Sequence, residues 1–196
     1  MLMKLRRIVI TGAPGCGKST LLIELGKRGF QVMPETYRWL KVIQAIETHS
    51  SIMEPGPLSD DQFLLHLGLQ RFIDDQPSSQ TDYCFYDRSL IDVLAYCRVY
   101  DQNARLELCW NVAHSISKYI FCSFLMPILD DIQPDKLRKE DIIEAQRLHS
   151  VIEDTYNQCG IHLIKLKNTN TTKYSDQVVN CLKHMEKNIK DEQQFL

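Results

Sequence analysis

An α/β fold built on a mostly parallel, five-stranded sheet follows from three observations in this 196-residue chain. Short apolar and β-branched runs alternate with helical patterns from end to end, the order that buries a parallel sheet under helices on both faces. The first strand-to-helix junction reads Gly12-Ala13-Pro14-Gly15-Cys16-Gly17-Lys18-Ser19, which meets every fixed position of G-x-x-x-x-G-K-[ST] and makes the expected fold that of a P-loop NTPase. The composition, 44% apolar and 24% charged with no internal repeat, suits one soluble domain spanning 1–196.

Arg7-Ile8-Val9-Ile10-Thr11 reads as a buried strand, and over residues 20–28 Leu21, Leu22 and Leu25 share a helical face that Gly29 stops. Residues 30–33 form a second strand ending in Pro34-Glu35, followed by a helical stretch over 36–48 and a loop over 50–59 containing Pro55-Gly56-Pro57. A third helix over about 60–75 carries Phe63, Leu64, Leu67 and Phe72 at helical spacing, with Ser59 as its candidate cap. After a turn comes the apolar strand Tyr83-Cys84-Phe85-Tyr86, which delivers Asp87 at its end. Helices are expected near 89–100 and 104–116, then a strand at about 118–125. A charged insertion at approximately 127–139 reads as a lid; a helix to 157, a strand at 161–166 and a helix at about 174–190 follow, with a frayed polar tail at 190–196.

The phosphate loop supplies the chemistry. Its glycines let consecutive N–H groups point at phosphate oxygens, and the helix that follows adds its positive dipole end. Gly12, Ala13, Pro14, Gly15, Cys16, Gly17, Lys18, Ser19 and Thr20 form the candidate nucleotide site, with Lys18 reaching the β- and γ-phosphates and the Ser19 hydroxyl on Mg²⁺. A dinucleotide loop of the G-x-G-x-x-G type fits worse, because Thr20 stands where the third glycine belongs.

Ligands of such sheets sit at the carboxyl ends of the strands, so Glu35, Asp87 and the insertion should converge there. Asp87 is the candidate second metal ligand, against the alternative of a helix N-cap. Arg88 can brace a phosphate or the acceptor, against a surface ion pair. Glu35 can act as general base on an acceptor hydroxyl or orient a water, against a cap or ion pair at the start of the following helix. Gln70, His66 and Phe63 lie on one face of the third helix and either line an acceptor pocket or pack. Cys16 is either a redox-sensitive thiol or a small filler.

These residues resemble a known group. The phosphate loop, Pro34-Glu35-Thr36-Tyr37-Arg38, Gln70, Asp87-Arg88-Ser89-Leu90 with Asp92 and Tyr96, and the later run Leu137-Arg138-Lys139-Glu140-Asp141 with His149 and Tyr156 look like the small P-loop AAA-domain ATPase and kinase group, similar to ribosylnicotinamide kinase domains. A narrower resemblance, through Glu35 with Trp39 and through Asp87-Arg88-Ser89, is to deoxynucleoside kinases. The resemblance implies a kinase-like strand order of 2-3-1-4-5. It also implies Glu35 as general base, Trp39 lining the acceptor pocket and Arg88 bracing phosphate or the base; Arg38, His66 and Gln70 are further acceptor-site candidates, and Arg138 is the best lid candidate, with Lys136 and Lys139 next and a solvated charged helix start as the alternative.

Composition narrows the rest. A net charge of −2 offers no basic stripe for nucleic acid, and no apolar run reads as a membrane span. The basic N-terminal residues Lys4, Arg6 and Arg7 precede a run too short for a secretory signal, so a cytoplasmic location is expected. Seven cysteines, odd in number and set in apolar runs, suit buried reduced thiols, and the pairs Cys159/His162 and Cys181/His184 make a weak zinc signal. The expected activity is Mg²⁺-dependent transfer from ATP, with GTP as an alternative, to a small hydroxyl-bearing acceptor. The rival is a nucleotide-gated binding module. A signalling GTPase fits poorly, since Thr172-Lys173-Tyr174-Ser175 lacks the Asp of N/T-K-x-D.

Overall fold

A computed structural model describes residues 6–36, 64–65, 67–71, 83–100, 105–128, 142–168 and 173–193. Its sheet has five strands: β1 (Arg6–Thr11), β2 (Gln31–Met33), β3 (Tyr83–Asp87), β4 (Ile120–Leu125) and β5 (Leu163–Lys165). The order is β2-β3-β1-β4-β5 and every pairing is parallel, so the sheet is wholly rather than mostly parallel. The helices are α1 (Lys18–Lys27), α2 (Leu90–Tyr100), α3 (Leu106–Ser117), α4 (Ile142–Gln158) and α5 (Tyr174–Gln193).

Alternation along the strands sends side chains into two cores. Ile8, Ile10, Phe85 and Phe124 meet Leu21, Leu22 and Leu25 of α1 and Val178 and Leu182 of α5. On the other face Val9, Cys84, Tyr86 and Leu125 meet Leu94 of α2, Ala113 and Ile116 of α3, and Leu148 and Ile152 of α4. Fully burying one such aliphatic side chain contributes about 1.5–3 kcal/mol, so the two layers hold the sheet rigidly beneath the loop. Six of the seven cysteines are buried; burial pushes Cys84 up to about 11 and Cys122 up to about 12, which makes them core fillers at neutral pH.

The boundaries differ from the sequence reading by a few residues. α1 begins at Lys18 rather than 20, because Gly17 in the left-handed region already serves as its N-cap, and α5 runs on to Gln193 instead of fraying from 190. Of the expected helix over 36–48 only Thr36 is described, and of that over 60–75 only residues 64–65 and 67–71. The insertion beyond residue 128, with Arg138, lies outside the described residues, as do Arg38, Trp39 and His66.

Candidate active site

The central strand β1 ends at Thr11, with β3 on one side placing Asp87 opposite Ile10 and β4 on the other placing Phe124 opposite Ile10. The chain then turns through the phosphate loop into α1. Gly12 has φ +139°, and a Cβ there would stand 3.0 Å from Cys16 Sγ and 3.1 Å from the Met126 carbonyl, so only glycine lets the loop lie this close to the end of β4. Gly17 has φ +84° at the helix N-terminus. The Lys18 side chain folds back over the loop, its Nζ donating to the carbonyls of Gly12 at 3.0 Å and Ala13 at 2.8 Å. Burial first, and then the nearby Arg88, hold its pKa below the usual lysine value. Ser19 and Thr20 are exposed at the first turn of α1, while Cys16 is buried beside Lys18 Nζ at 3.5 Å.

Glu35, Asp87 and Arg88 are all buried at the same sheet edge, although Glu35 and Arg88 are 53 residues apart. Arg88 Nε donates to Glu35 Oε1 at 2.9 Å and Nη1 to Asp92 Oδ1 at 3.2 Å, and its guanidinium stands 5.1 Å from the centre of the Tyr96 ring. Burial opposes its charge, but Tyr96, Glu35, Asp92 and Asp87 more than offset this and hold its pKa well above the ordinary range. Arg88 is thus no surface ion pair. It is also the one non-glycine residue with positive φ among those described, at +69°, while its amide still donates to the Ile10 carbonyl at 3.1 Å. A side chain in that region costs on the order of 1–3 kcal/mol, which the surrounding bonds must offset.

The cap that Asp87 was a candidate to supply belongs to Ser89. Its Oγ accepts from the Ile91 amide at 3.1 Å, and Asp92 Oδ2 accepts from the Ser89 amide at 2.9 Å, a reciprocal capping box at the start of α2. Asp87 has no such duty. Burial first and Glu35 next raise its carboxyl above the usual range, Lys18 and Arg88 pull the other way, and Oδ1 is buried without a hydrogen-bond partner among the described residues. A buried, unpartnered carboxylate oxygen at the end of β3 fits a hard cation bound by oxygens, with the exposed Ser19 hydroxyl as a candidate companion.

Gln70 is buried and its Oε1 accepts from Thr36 Oγ1 at 2.6 Å, tying the residue after Glu35 to the helical residues 67–71. Thr11, Ser89, Asp92 and Tyr156, to which the sequence alone gives no shared role, interlock here. Ser89 and Asp92 carry a readable signal, the S-x-x-D spacing of a capping box. No spacing points to the contact with Tyr156, which joins from 64 residues away and is named above only within the resemblance.

A protein-family model described as an AAA domain matches residues 7–173. No curated protein matches the sequence. Among solved structures, a NadR protein in complex with NAD and AMP-PNP superposes with a TM-score of 0.71 at 14% identity, over 91% of this chain and 49% of that one, so the chain spans about half the length of that protein. Deoxyadenosine kinase from M. mycoides, solved with products bound, gives 0.62 at 14% identity over 91% and 99% of the two chains. Shikimate kinase from Acinetobacter baumannii in complex with shikimate gives 0.53 at 15% identity over 95% and 96%. At these identities the likeness establishes the fold. Among the described residues no helix is long and apolar enough to cross a membrane.

Proposed function

This chain belongs to the AAA-domain family, and we propose that within it the protein is a phosphotransferase that moves the terminal phosphoryl group of ATP, or alternatively GTP, to a hydroxyl of a small molecule such as a nucleoside. The observation that carries the reading is the convergence of Glu35, Asp87 and Arg88, all buried, on the edge where Lys18 and the phosphate loop lie. A nucleotide-gated switch needs the loop and a metal ligand. It does not need a second carboxylate from β2 held by an arginine from the end of β3. Kinase neighbours with small-molecule substrates and products in their sites support the same reading.

In this reading the phosphate loop binds and orients the triphosphate, and Lys18 leaves the carbonyls of Gly12 and Ala13 to donate to phosphate oxygens instead. Ser19 and Asp87 would hold Mg²⁺, which when bound neutralises charge on the phosphates. Glu35 takes the proton from the acceptor hydroxyl as the oxygen attacks, and Arg88 donates to the oxygens on which charge gathers. Trp39 is assigned by resemblance to the acceptor pocket, Arg38, His66 and Gln70 are further candidates there, and Arg138 is the candidate lid residue.

The test is a screen of nucleosides and vitamin-like alcohols for acceptor-dependent ADP production, run on wild type and on Glu35→Gln. A general base contributes ~10²–10⁴ in rate, so the variant should lose that factor while ATP affinity stays near wild type. Wild-type turnover in a folded Glu35→Gln protein would remove the base assignment. Tight nucleotide binding with no acceptor stimulating turnover in the wild type would favour the gated module instead.

A further inference from the structure

Asp92 is 1% exposed and accepts hydrogen bonds from four residues in three parts of the chain. Thr11 Oγ1 donates to Oδ1 at 2.5 Å, Arg88 Nη1 to Oδ1 at 3.2 Å, the Ser89 amide to Oδ2 at 2.9 Å, and the Tyr156 hydroxyl to Oδ2 at 2.6 Å. A helix cap needs only the bond from Ser89, and it needs no burial. The other donors point elsewhere. Thr11 immediately precedes Gly12, the first residue of the phosphate loop, and Arg88 immediately follows Asp87. Tyr156, fully buried in α4, also shares a 2.9 Å hydrogen bond with Ser89 Oγ, so the carboxylate is clamped from both sides.

The consequence falls on Arg88. A guanidinium is a rigid plane, and fixing two of its nitrogens fixes where the third points. Glu35 holds Nε and Asp92 holds Nη1, while Nη2 is buried without a hydrogen-bond partner among the described residues. Glu35 cannot set this orientation alone, because a single bond at Nε leaves the plane free to turn about it. Asp92 supplies the second point, and its own bond to Thr11 references that point to the root of the loop that holds phosphate.

We propose that Asp92 is a positioning residue for phosphoryl transfer: clamped by Tyr156 and Thr11, its carboxylate aims the free edge of the Arg88 guanidinium relative to the phosphate loop. The proposal rests on the kinase reading above and adds to it a residue that acts only through Arg88. Asp92→Asn keeps the shape and one acceptor oxygen but loses the charge-assisted bonds. It should lower kcat on the order of 10²-fold, the scale of a misplaced reacting group, while the KM for ATP moves less than about threefold. Tyr156→Phe should act in the same direction by a smaller factor.

Two measurements decide it. The first is a double-mutant cycle: in an Arg88→Ala background, or in Arg88→Lys where the alanine variant does not fold, Asp92→Asn should cost no further kcat. A structural contribution to the fold would lower kcat by the same factor in either background, and that additive result overturns the proposal. The second is free of turnover: the ¹⁵N spectrum of arginine-labelled protein should show a slowly exchanging Arg88 Nε–H, identified by its loss in Arg88→Lys. That signal should shift and broaden in both Asp92→Asn and Tyr156→Phe. An unchanged Arg88 signal in folded Asp92→Asn overturns the positioning role even if kcat falls. Absence of any acceptor turnover in the wild type refutes the kinase reading and the catalytic half of this proposal with it, and the arginine spectrum still decides whether Asp92 sets Arg88.

Discussion

Replacing Asp87 by Asn should make the protein more stable and less active. Asp87 is 6% exposed, its Oδ1 is buried without a hydrogen-bond partner among the described residues, and Ser89 rather than Asp87 caps α2, so the substitution removes no cap. Leaving a buried polar atom unpaired costs about 1–3 kcal/mol, and more when it is charged. Asn keeps a polar atom there but sheds the charge, and attraction to Lys18 and Arg88 offsets only part of the cost of burying that charge, so the substitution should stabilise by on the order of 1 kcal/mol, or ~2–4 °C in Tm for a chain of this size. The pH dependence has a definite sign. Burial and Glu35 raise the folded-state pKa of Asp87 above 3.8, so the folded protein binds this proton more tightly than the unfolded chain. Wild-type stability from this group is therefore present at low pH and is lost as pH climbs through the folded-state value. The Asn variant does not titrate there. Its Tm advantage should be smallest at low pH and should grow as pH rises from 3.8 through the folded-state value. Activity moves the other way: a metal-orienting carboxylate supplies several kcal/mol of charge stabilisation, so Mg²⁺-dependent turnover should fall by ~10²–10³. Differential scanning calorimetry across pH and steady-state kinetics against Mg²⁺ concentration read both effects. A variant with a lower Tm and normal Mg²⁺-dependent turnover would refute the reasoning and return Asp87 to a structural role.

Three further outcomes are expected. Lys18→Ala should stay folded and lose most of its affinity for MgATP by calorimetry, because a charge-assisted phosphate contact disappears. Gly12→Ala forces a Cβ to 3.0 Å from Cys16 Sγ and 3.2 Å from Met126 Cβ at φ +139°, so it should cost ~1–3 kcal/mol in chemical denaturation and abolish nucleotide binding together. Arg138→Ala should lower turnover by up to ~10³–10⁵ with little change in ATP affinity if this arginine meets the transferring phosphoryl group, and residues 127–139 should be protected from proteolysis when nucleotide and acceptor are both present. Equal cleavage with and without ligands would argue against closure there.

Much of this architecture was legible in the sequence because its signals are local. A strand, a glycine-rich turn and a helix lie within one short stretch, and the phosphate loop needs no distant residue to take its shape. The alternation that sends Ile8 and Ile10 to one face and Val9 to the other is likewise written in neighbouring residues. So is the delivery of Glu35 and Asp87 to one edge, since parallel strands all end on the same side. The pairings are different in kind. That Arg88 meets Glu35, that it is buried rather than solvated, and that Tyr156 closes on Asp92 depend on how β2 and α4 pack against β3 and α2, and no spacing along the chain encodes those distances. The competition for the α2 cap shows the boundary between the two. Asp87 and Ser89 are both good capping residues by type and position, and the folded chain, with Arg88 between them at φ +69°, gives the cap to Ser89 and buries Asp87. Local propensity offers a residue several roles of similar free energy, and burial among particular neighbours, each worth a kcal/mol or more, selects between them.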